Sequence, residues 1–190
     1  KGSCKEACRE EGSGKKARGQ EAGCENGRQK DRAGRRSSVL SRDREEACML
    51  EVNVIGVAML CKYFGKQMKD RGYGKIINVS STRGARACLG GNASYCTTKG
   101  ALDMLTRTMA CDLGPEVCVN AIGPTNTVTP MMEGLIKDHP EILHLGDDKP
   151  LQRIGRVEDC MGPAVFLASA ASDFVTGQIV YADGGMTAIG

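Results

Sequence analysis

A tyrosine and a lysine four residues apart, Tyr95 and Lys99, form the pair in this chain best suited to moving a proton. Side chains at this spacing lie on the same face of a helix, so the Lys99 ammonium would lie beside the Tyr95 phenol. A nearby cation stabilises the phenolate and makes the phenol usable as both acid and base. This chemistry suits the reduction of a carbonyl or the oxidation of an alcohol.

The spacing alone has little specificity, since a solvated helix face can carry the same two residues by chance. The order of the surrounding segments is more informative. An apolar run at 75–79 ends in Ser80 and Ser81, and a second apolar run at 117–122 follows the Tyr95 segment. Short apolar runs that alternate with helical patterns predict buried parallel strands. The pair therefore begins a helix between two strands.

A hydroxyl at the end of the first strand would complete a site for a reacting oxygen. Ser81 is the favoured residue, because successive strand side chains point to opposite faces and Ser80 would then point away. Ser80 remains the competing choice, and Thr82 could also lend its hydroxyl from the following loop.

The order strand, serine, tyrosine, lysine, helix, strand resembles the short-chain dehydrogenase/reductase family from about Met49 to the C-terminus. Asn53 matches the family's helix asparagine, and residues 78–81 (Asn-Val-Ser-Ser) match the end of its fifth strand. Residues 120–124 (Asn-Ala-Ile-Gly-Pro) match the sixth strand, and residues 176–185 match the last strand with its Asp-Gly-Gly turn.

The resemblance implies a nicotinamide-dependent oxidoreductase, using NAD or NADP, that acts on a secondary alcohol or carbonyl. It implies that Tyr95 transfers the proton and that Lys99 holds the nicotinamide ribose. Ser81 would bind the reacting oxygen, and Asn53 would anchor a water that relays protons from Lys99. Contacts to the nicotinamide amide and the phosphates would come from the loop after the sixth strand, at Pro124, Thr127, Val128 and Thr129. Residues 157–169 are most similar to gluconate 5-dehydrogenases and glucose dehydrogenases, which suggests a sugar acid or a polyol as substrate.

The expected fold is α/β, with a Rossmann-like parallel sheet of which only the C-terminal half is encoded. We expect three strands near 75–80, 117–122 and 178–182, helices over 94–113 and 157–170, and a long loop at 124–150 with one or two helical turns. The family's opening strand and glycine-rich turn, Thr-Gly-x-x-x-Gly-x-Gly, have no counterpart. Residues 1–46 have few large aliphatic side chains and many charges, which predicts disorder, and residues 47–190 form the partial domain.

An alternative function follows from the missing glycine turn. The chain would then be a catalytically silent, truncated family member, or the product of a shifted reading frame, serving at most as a scaffold or oligomer partner. Without a pyrophosphate site on a helix N-terminus, cofactor affinity would be very weak and turnover negligible.

Composition excludes several other classes of function. A net charge of +3 is too small to indicate nucleic-acid binding, and no apolar run approaches the ~20 residues of a membrane span. The ten cysteines are scattered and the two histidines lie elsewhere, so no metal site is expected. Reduced thiols indicate a cytoplasmic protein. The family resemblance implies a small-molecule substrate and a homo-oligomer.

Overall fold

The computed structural model describes residues 43–88 and 92–189. Most of the segment predicted to be disordered, residues 1–42, lies outside this part. The first described element is a helix that begins at Asp43.

Within residues 43–88 and 92–189, five strands form two parallel sheets: β1 (Gly74–Val79), β2 (Val117–Pro124), β3 (Thr127–Val128), β4 (Gly155–Arg156) and β5 (Ile179–Ala182). The main sheet has the order β1-β2-β5, with Gly74 opposite Val117 and Ala121 opposite Ile179. The three predicted strands and their parallel arrangement are thus confirmed. The second sheet, in which β3 pairs with β4, was not predicted, because two-residue strands carry no readable periodicity.

In the described part of the chain, five α-helices surround or precede the strands: α1 (Asp43–Leu50), α2 (Val57–Asp70), α3 (Ala93–Leu113), α4 (Pro130–Asp138) and α5 (Met161–Ala168). A π-helical segment, Glu51–Gly56, joins α1 to α2 without a break in the helical path. Short 3-10 turns cover Thr82–Gly84, Pro140–Gly146, Val157–Cys160 and Ala170–Ser172.

Two helix predictions need correction. The helix expected over 157–170 is a 3-10 turn followed by the shorter α5, which ends because Ser169 is extended (φ −95°, ψ 168°). The segment 124–150 contains a nine-residue helix, α4, rather than isolated turns. Thr129 followed by Pro130 is a helix-start signal in the sequence. In the structure the Thr129 hydroxyl accepts a hydrogen bond from the Met132 N–H, and Pro130 occupies the first turn.

The core lies between β1, β2 and the two helices that cover them. Ala110 and Leu113 of α3 pack with Val117 and Val119 of β2, and Met68 of α2 packs against the same cluster. Val119 is 0 % exposed, as expected for the central strand of a sheet covered by helices. This core fixes α3 across the sheet, with its N-terminus near the carboxyl ends of the strands.

One helical stretch in the described part, Glu46–Asp70, is long and apolar enough to cross a membrane by length and composition alone, with a mean hydropathy of 1.5. The prediction that the chain has no apolar run of membrane-spanning length is therefore wrong for this stretch. In the structure Cys61 and Gly65 of this stretch are buried, the Cys61 thiol donates to the Asn78 side chain of β1 at 3.5 Å, and Gly65 lies against Leu113. One side of the stretch therefore packs on the sheet at Cys61 and Gly65, while most of its residues, among them Val52, Ile55 and Met59, are exposed.

Gly84 allows the turn after β1 to lie directly on α3. A Cβ added at Gly84 would lie 2.9 Å from the Lys99 carbonyl oxygen and would meet the Asp103 carboxylate, whereas a Cβ at Gly100 would lie 3.5 Å from the Gly84 carbonyl oxygen, an ordinary van der Waals contact. The turn that follows Ser81 can therefore lie this close to α3 because residue 84 is a glycine and has no Cβ.

We expect Gly84→Ala to lower the free energy of unfolding by about 1–3 kcal/mol, because the added methyl group has no room against the α3 backbone. Gly134→Ala is the matched control, since nothing lies within 4 Å of its added Cβ and the residue is inside α4. That variant should be unchanged or up to ~1 kcal/mol more stable. Urea denaturation of both variants measures the difference, and equal stabilities would contradict the close approach.

Candidate functional site

The predicted site residues gather where β1 and β2 end and α3 begins. Ser81 follows β1, Pro124 ends β2, and Tyr95 lies in the first turn of α3. The carboxyl ends of parallel strands are the usual place for ligands in open α/β sheets. The fold therefore presents these residues at the expected edge of the sheet.

Lys99 connects the helix to the end of the strand. Its ammonium Nζ donates a hydrogen bond of 2.9 Å to the Val79 carbonyl oxygen and lies 5.7 Å from the centroid of the Tyr95 ring. Tyr95 and Lys99 are both half-buried. Burial lowers the pKa of Lys99 below its ordinary value of 10.5, and the nearby negative charge of Asp103 opposes that shift. The predicted tyrosine–lysine pair thus lies on one helix face, with the cation near the aromatic ring.

The two serines that end β1 have different partners. The Ser80 hydroxyl donates to the Asp103 carboxylate and is only 4 % exposed. The Ser81 hydroxyl accepts from the Arg83 N–H at 3.2 Å, and its bond to the Pro124 carbonyl oxygen is long, at 3.5 Å. The Ser80 hydroxyl already donates to a carboxylate, whereas the Ser81 hydroxyl donates only over a long distance. Ser81 is therefore the serine whose hydroxyl is more available to bind a ligand.

Asp103 is the important residue of this region that the sequence reading missed. It is 4 % exposed and binds Ser80 through one carboxylate oxygen and the Tyr181 hydroxyl, at 3.3 Å, through the other. Burial, together with the Asp103 charge and hydrogen bond, raises the pKa of Tyr181 to about 12. The signal was available, since Asp103 lies four residues after Lys99 and so shares its helix face.

Asn53 lies in the π-helical segment and reaches α3. Its side-chain amide donates to the Thr98 hydroxyl at 3.2 Å, and that hydroxyl in turn donates to the Tyr95 carbonyl oxygen at 2.8 Å. Single π-helical turns inside α-helices often occur at functional sites. The chain of two bonds ties Asn53 to the backbone of Tyr95.

The residues predicted to contact the cofactor follow β2 but play local structural parts as well. The Thr127 hydroxyl donates to the Thr125 carbonyl oxygen at 2.9 Å, and Val128 pairs with Arg156 in the small sheet. Thr129 caps α4. These residues are held in a defined loop beside the end of β2, and in the described part of the chain no hydrogen bond joins them to Tyr95 or Lys99.

Two concave regions border the main sheet. A groove of about 490 Å³ runs along the outer edge of β1 and includes Asn53 and Lys99 among its lining residues. A second concavity of about 410 Å³ lies near the end of β5, where Arg153 is paired with Asp159. Within 43–88 and 92–189, no group of three or more His, Cys, Asp or Glu side chains is arranged to hold a metal ion.

The residues present fit the nicotinamide end of a dinucleotide. A lysine ammonium, a tyrosine hydroxyl and threonine hydroxyls suit ribose hydroxyls and a carboxamide, which need donors and acceptors in a partly desolvated setting. A glycine-rich turn at a helix N-terminus, which would suit the pyrophosphate, is not found in the described residues.

Comparison with known proteins assigns the family. Residues 31–187 match the family described as Enoyl-(Acyl carrier protein) reductase, so the match begins before the Met49 expected from the motifs. L-xylulose reductase from Mus musculus is 40 % identical over 148 residues, covering 76 % of this chain and 60 % of that protein. Gluconate 5-dehydrogenase from Gluconobacter oxydans is 39 % identical over 140 residues, covering 73 % and 54 %.

Solved structures agree with the sequence comparison. A gluconate 5-dehydrogenase from Burkholderia cenocepacia J2315, in complex with NADP and tartrate, has a TM-score of 0.72 and 35 % identity, and the match covers 78 % of this chain and 58 % of that one. The chain spans 54 % and 60 % of the two curated relatives named above. Its parallel sheet, its motif order and these relatives together show that the chain belongs to the short-chain dehydrogenase/reductase family of oxidoreductases.

Proposed function

We propose that this chain carries the proton-transferring part of an NAD(P)-dependent oxidoreductase that acts on a secondary alcohol or carbonyl. The observation that supports this most is the position of the Lys99 ammonium, 2.9 Å from the Val79 carbonyl oxygen and 5.7 Å from the Tyr95 ring centroid. That position brings a partly desolvated cation, a phenol and the Ser81 turn to one edge of the sheet.

Each residue has a distinct part in the proposed reaction. When bound, the nicotinamide supplies or accepts the hydride at the carbon of the alcohol or carbonyl. Tyr95 donates a proton to the carbonyl oxygen in reduction and removes it from the alcohol in oxidation. Ser81 holds the same oxygen by a hydrogen bond, and Lys99 stabilises the phenolate form of Tyr95 while holding ribose hydroxyls. Asn53, tied to Thr98, anchors a water that returns protons toward Lys99.

Pro124, Thr127, Val128 and Thr129 complete the proposed cofactor contacts on the nicotinamide side. The choice between NAD and NADP stays open. The Burkholderia relative binds NADP, but the acidic or basic residue that distinguishes the two cofactors belongs to the part of the fold around the glycine-rich turn, which has no counterpart in this sequence. The named relatives act on gluconate and L-xylulose, which supports a sugar acid or polyol as the small-molecule substrate. We further propose a cytoplasmic location and a homo-oligomer.

A second candidate function is a catalytically silent scaffold or oligomer partner. It is favoured by the absence of a Thr-Gly-x-x-x-Gly-x-Gly pattern from the sequence. The charge-assisted hydrogen bonds of a pyrophosphate site contribute roughly 1.5–3 kcal/mol each, so their loss would weaken cofactor binding by orders of magnitude.

The Lys99 environment makes a prediction about protonation. Because its pKa is lowered in the folded state, the unfolded chain binds more protons between that lowered value and 10.5, and the free energy of unfolding should rise with pH across this window. Nuclear magnetic resonance of the lysine Cε carbons follows the titration directly. Asp103→Asn removes the opposing negative charge and should lower the Lys99 midpoint further. Asp112→Asn, an exposed change on the same helix, should leave it unmoved, and equal effects of the two variants would contradict the assignment.

The proposed role of Tyr95 is tested by turnover. Tyr95→Phe should reduce kcat by about 10²–10⁴-fold, because the proton donor is lost while the ring is kept. Tyr63→Phe, at an exposed position of α2, is the matched control and should leave kcat unchanged. The assay follows oxidation of NADH and of NADPH with L-xylulose, and reduction of NAD and of NADP with gluconate, at the highest workable cofactor concentrations.

The same assay separates the two candidate functions. Turnover that Tyr95→Phe removes and Tyr63→Phe keeps supports the oxidoreductase. Turnover that survives Tyr95→Phe would refute the role of the phenol. No turnover by the unmodified chain with either substrate would favour the silent scaffold.

A further inference from the structure

Two cysteine thiols are in contact beside the candidate site. The Sγ atoms of Cys88 and Cys96 are 3.9 Å apart, and the Asn92 side-chain amide donates to the Cys88 sulfur at 3.5 Å. Cys96 directly follows Tyr95 in the first turn of α3, and Cys88 lies in the segment that leaves the Ser81 turn. The two sulfurs therefore meet between the segment that follows Ser81 and the first turn of α3, which contains Tyr95.

This contact distinguishes the pair from the other described cysteines. Cys61 is buried and donates to Asn78, and the Cys118 thiol donates to the Asp173 carbonyl oxygen at 3.6 Å. Cys88 and Cys96 are each partly exposed, so a small oxidant can reach them. Among the seven cysteines that the structure describes, they are the two whose sulfur atoms contact each other.

We propose that Cys88 and Cys96 form a reversible disulfide, and that this bond is a redox-sensitive modification site that changes the position of Tyr95. The oxidant is a low-molecular-weight disulfide such as oxidised glutathione. Formation of the bond does not depend on the proposed function. Only its effect on turnover does.

The exchange balances in two steps. One cysteine thiolate attacks a sulfur of oxidised glutathione, which forms a mixed disulfide and releases one glutathione as thiolate. The second cysteine attacks the protein sulfur of that mixed disulfide and releases the other glutathione. The two protein thiols lose two electrons and two protons in total, and both glutathione thiols gain them.

The surroundings set the pH at which the exchange runs. Burial, and next the hydrogen bond with Cys88, raise the pKa of Cys96, and the positive charge of Arg83 opposes the shift. Since the thiolate is the nucleophile, formation of the bond should be faster in mildly alkaline buffer.

Closing the bond must bring the two sulfurs closer together. They are 3.9 Å apart as thiols and would be about 2.05 Å apart as a disulfide, so they approach by nearly 2 Å. Side-chain rotation and backbone shifts can both contribute to this approach. Cys96 directly follows Tyr95 in the first turn of α3, and the Tyr95 carbonyl oxygen is bound by Thr98. A backbone shift at the start of α3 therefore moves Tyr95 with it.

The test equilibrates the reduced full chain with glutathione buffers of increasing oxidised fraction at mildly alkaline pH. Free thiols are then blocked with an alkylating reagent, and peptides are identified by mass spectrometry. We expect a linked Cys88–Cys96 peptide that loses two hydrogens and is restored by dithiothreitol. Hydrogen exchange over 92–99 should differ between the reduced and oxidised chains.

Serine variants make the test specific. Cys88→Ser and Cys96→Ser should each abolish the linked peptide and leave a mixed glutathione disulfide on the remaining cysteine. Cys111→Ser, an exposed change on α3, should leave the linked peptide in place. The proposal is overturned if Cys88 and Cys96 stay alkylated as free thiols in the oxidising buffers, or if each carries glutathione without forming the bond. A disulfide that forms with no change in hydrogen exchange over 92–99 would refute the effect on Tyr95.

Discussion

The hydrogen bond from the Lys99 ammonium to the Val79 carbonyl oxygen is the interaction on which the candidate site depends. It joins the first turns of α3 to the end of β1, at 2.9 Å, and together with the core packing of α3 and the close approach at Gly84 it sets where Tyr95 lies relative to Ser81. A lysine in this position is drawn out of water, which costs free energy unless negative charge or acceptors compensate. The Val79 carbonyl supplies an acceptor, and Asp103 supplies the charge.

Asp103 extends the same connection across the sheet. Its two carboxylate oxygens bind Ser80 at the end of β1 and Tyr181 in β5, so one buried side chain of α3 holds two strands that are not neighbours. A buried carboxylate is tolerated only when hydrogen bonds and a nearby cation satisfy it. The Asp103 charge favours the protonated form of Lys99, and the hydrogen bonds of Asp103 to Ser80 and Tyr181 join α3 to the sheet.

The main sheet and α3 could be read from the sequence because their patterns are local. The apolar runs at 75–79 and 117–122 and the long helical period after Tyr95 identify buried strands and a covering helix without knowledge of tertiary contacts. The small sheet formed by Thr127–Val128 and Gly155–Arg156 could not be predicted, since it consists of two bridges between residues 28 positions apart in the chain. The start of α4, in contrast, is predictable from the sequence, because Thr129 is a residue type that commonly caps a helix N-terminus.

The site was partly predictable for the same reason. Spacing along one helix identifies Tyr95 and Lys99, and strand alternation favours Ser81 over Ser80. Asp103 depends on Tyr181, 78 residues away in the chain, and the Cys88–Cys96 contact depends on how a loop returns to α3. Such contacts follow from packing, which a single sequence does not display.

The proposed function requires that these residues recognise the nicotinamide–ribose end of the cofactor. Calorimetric titration with NADPH and with reduced nicotinamide mononucleotide, which lacks the adenosine half, measures this recognition. We expect weak binding of both ligands with dissociation constants within about threefold of each other, and loss of both in Lys99→Ala. NADPH binding that is orders of magnitude tighter than that of the mononucleotide, or binding of either ligand that survives Lys99→Ala, would contradict it.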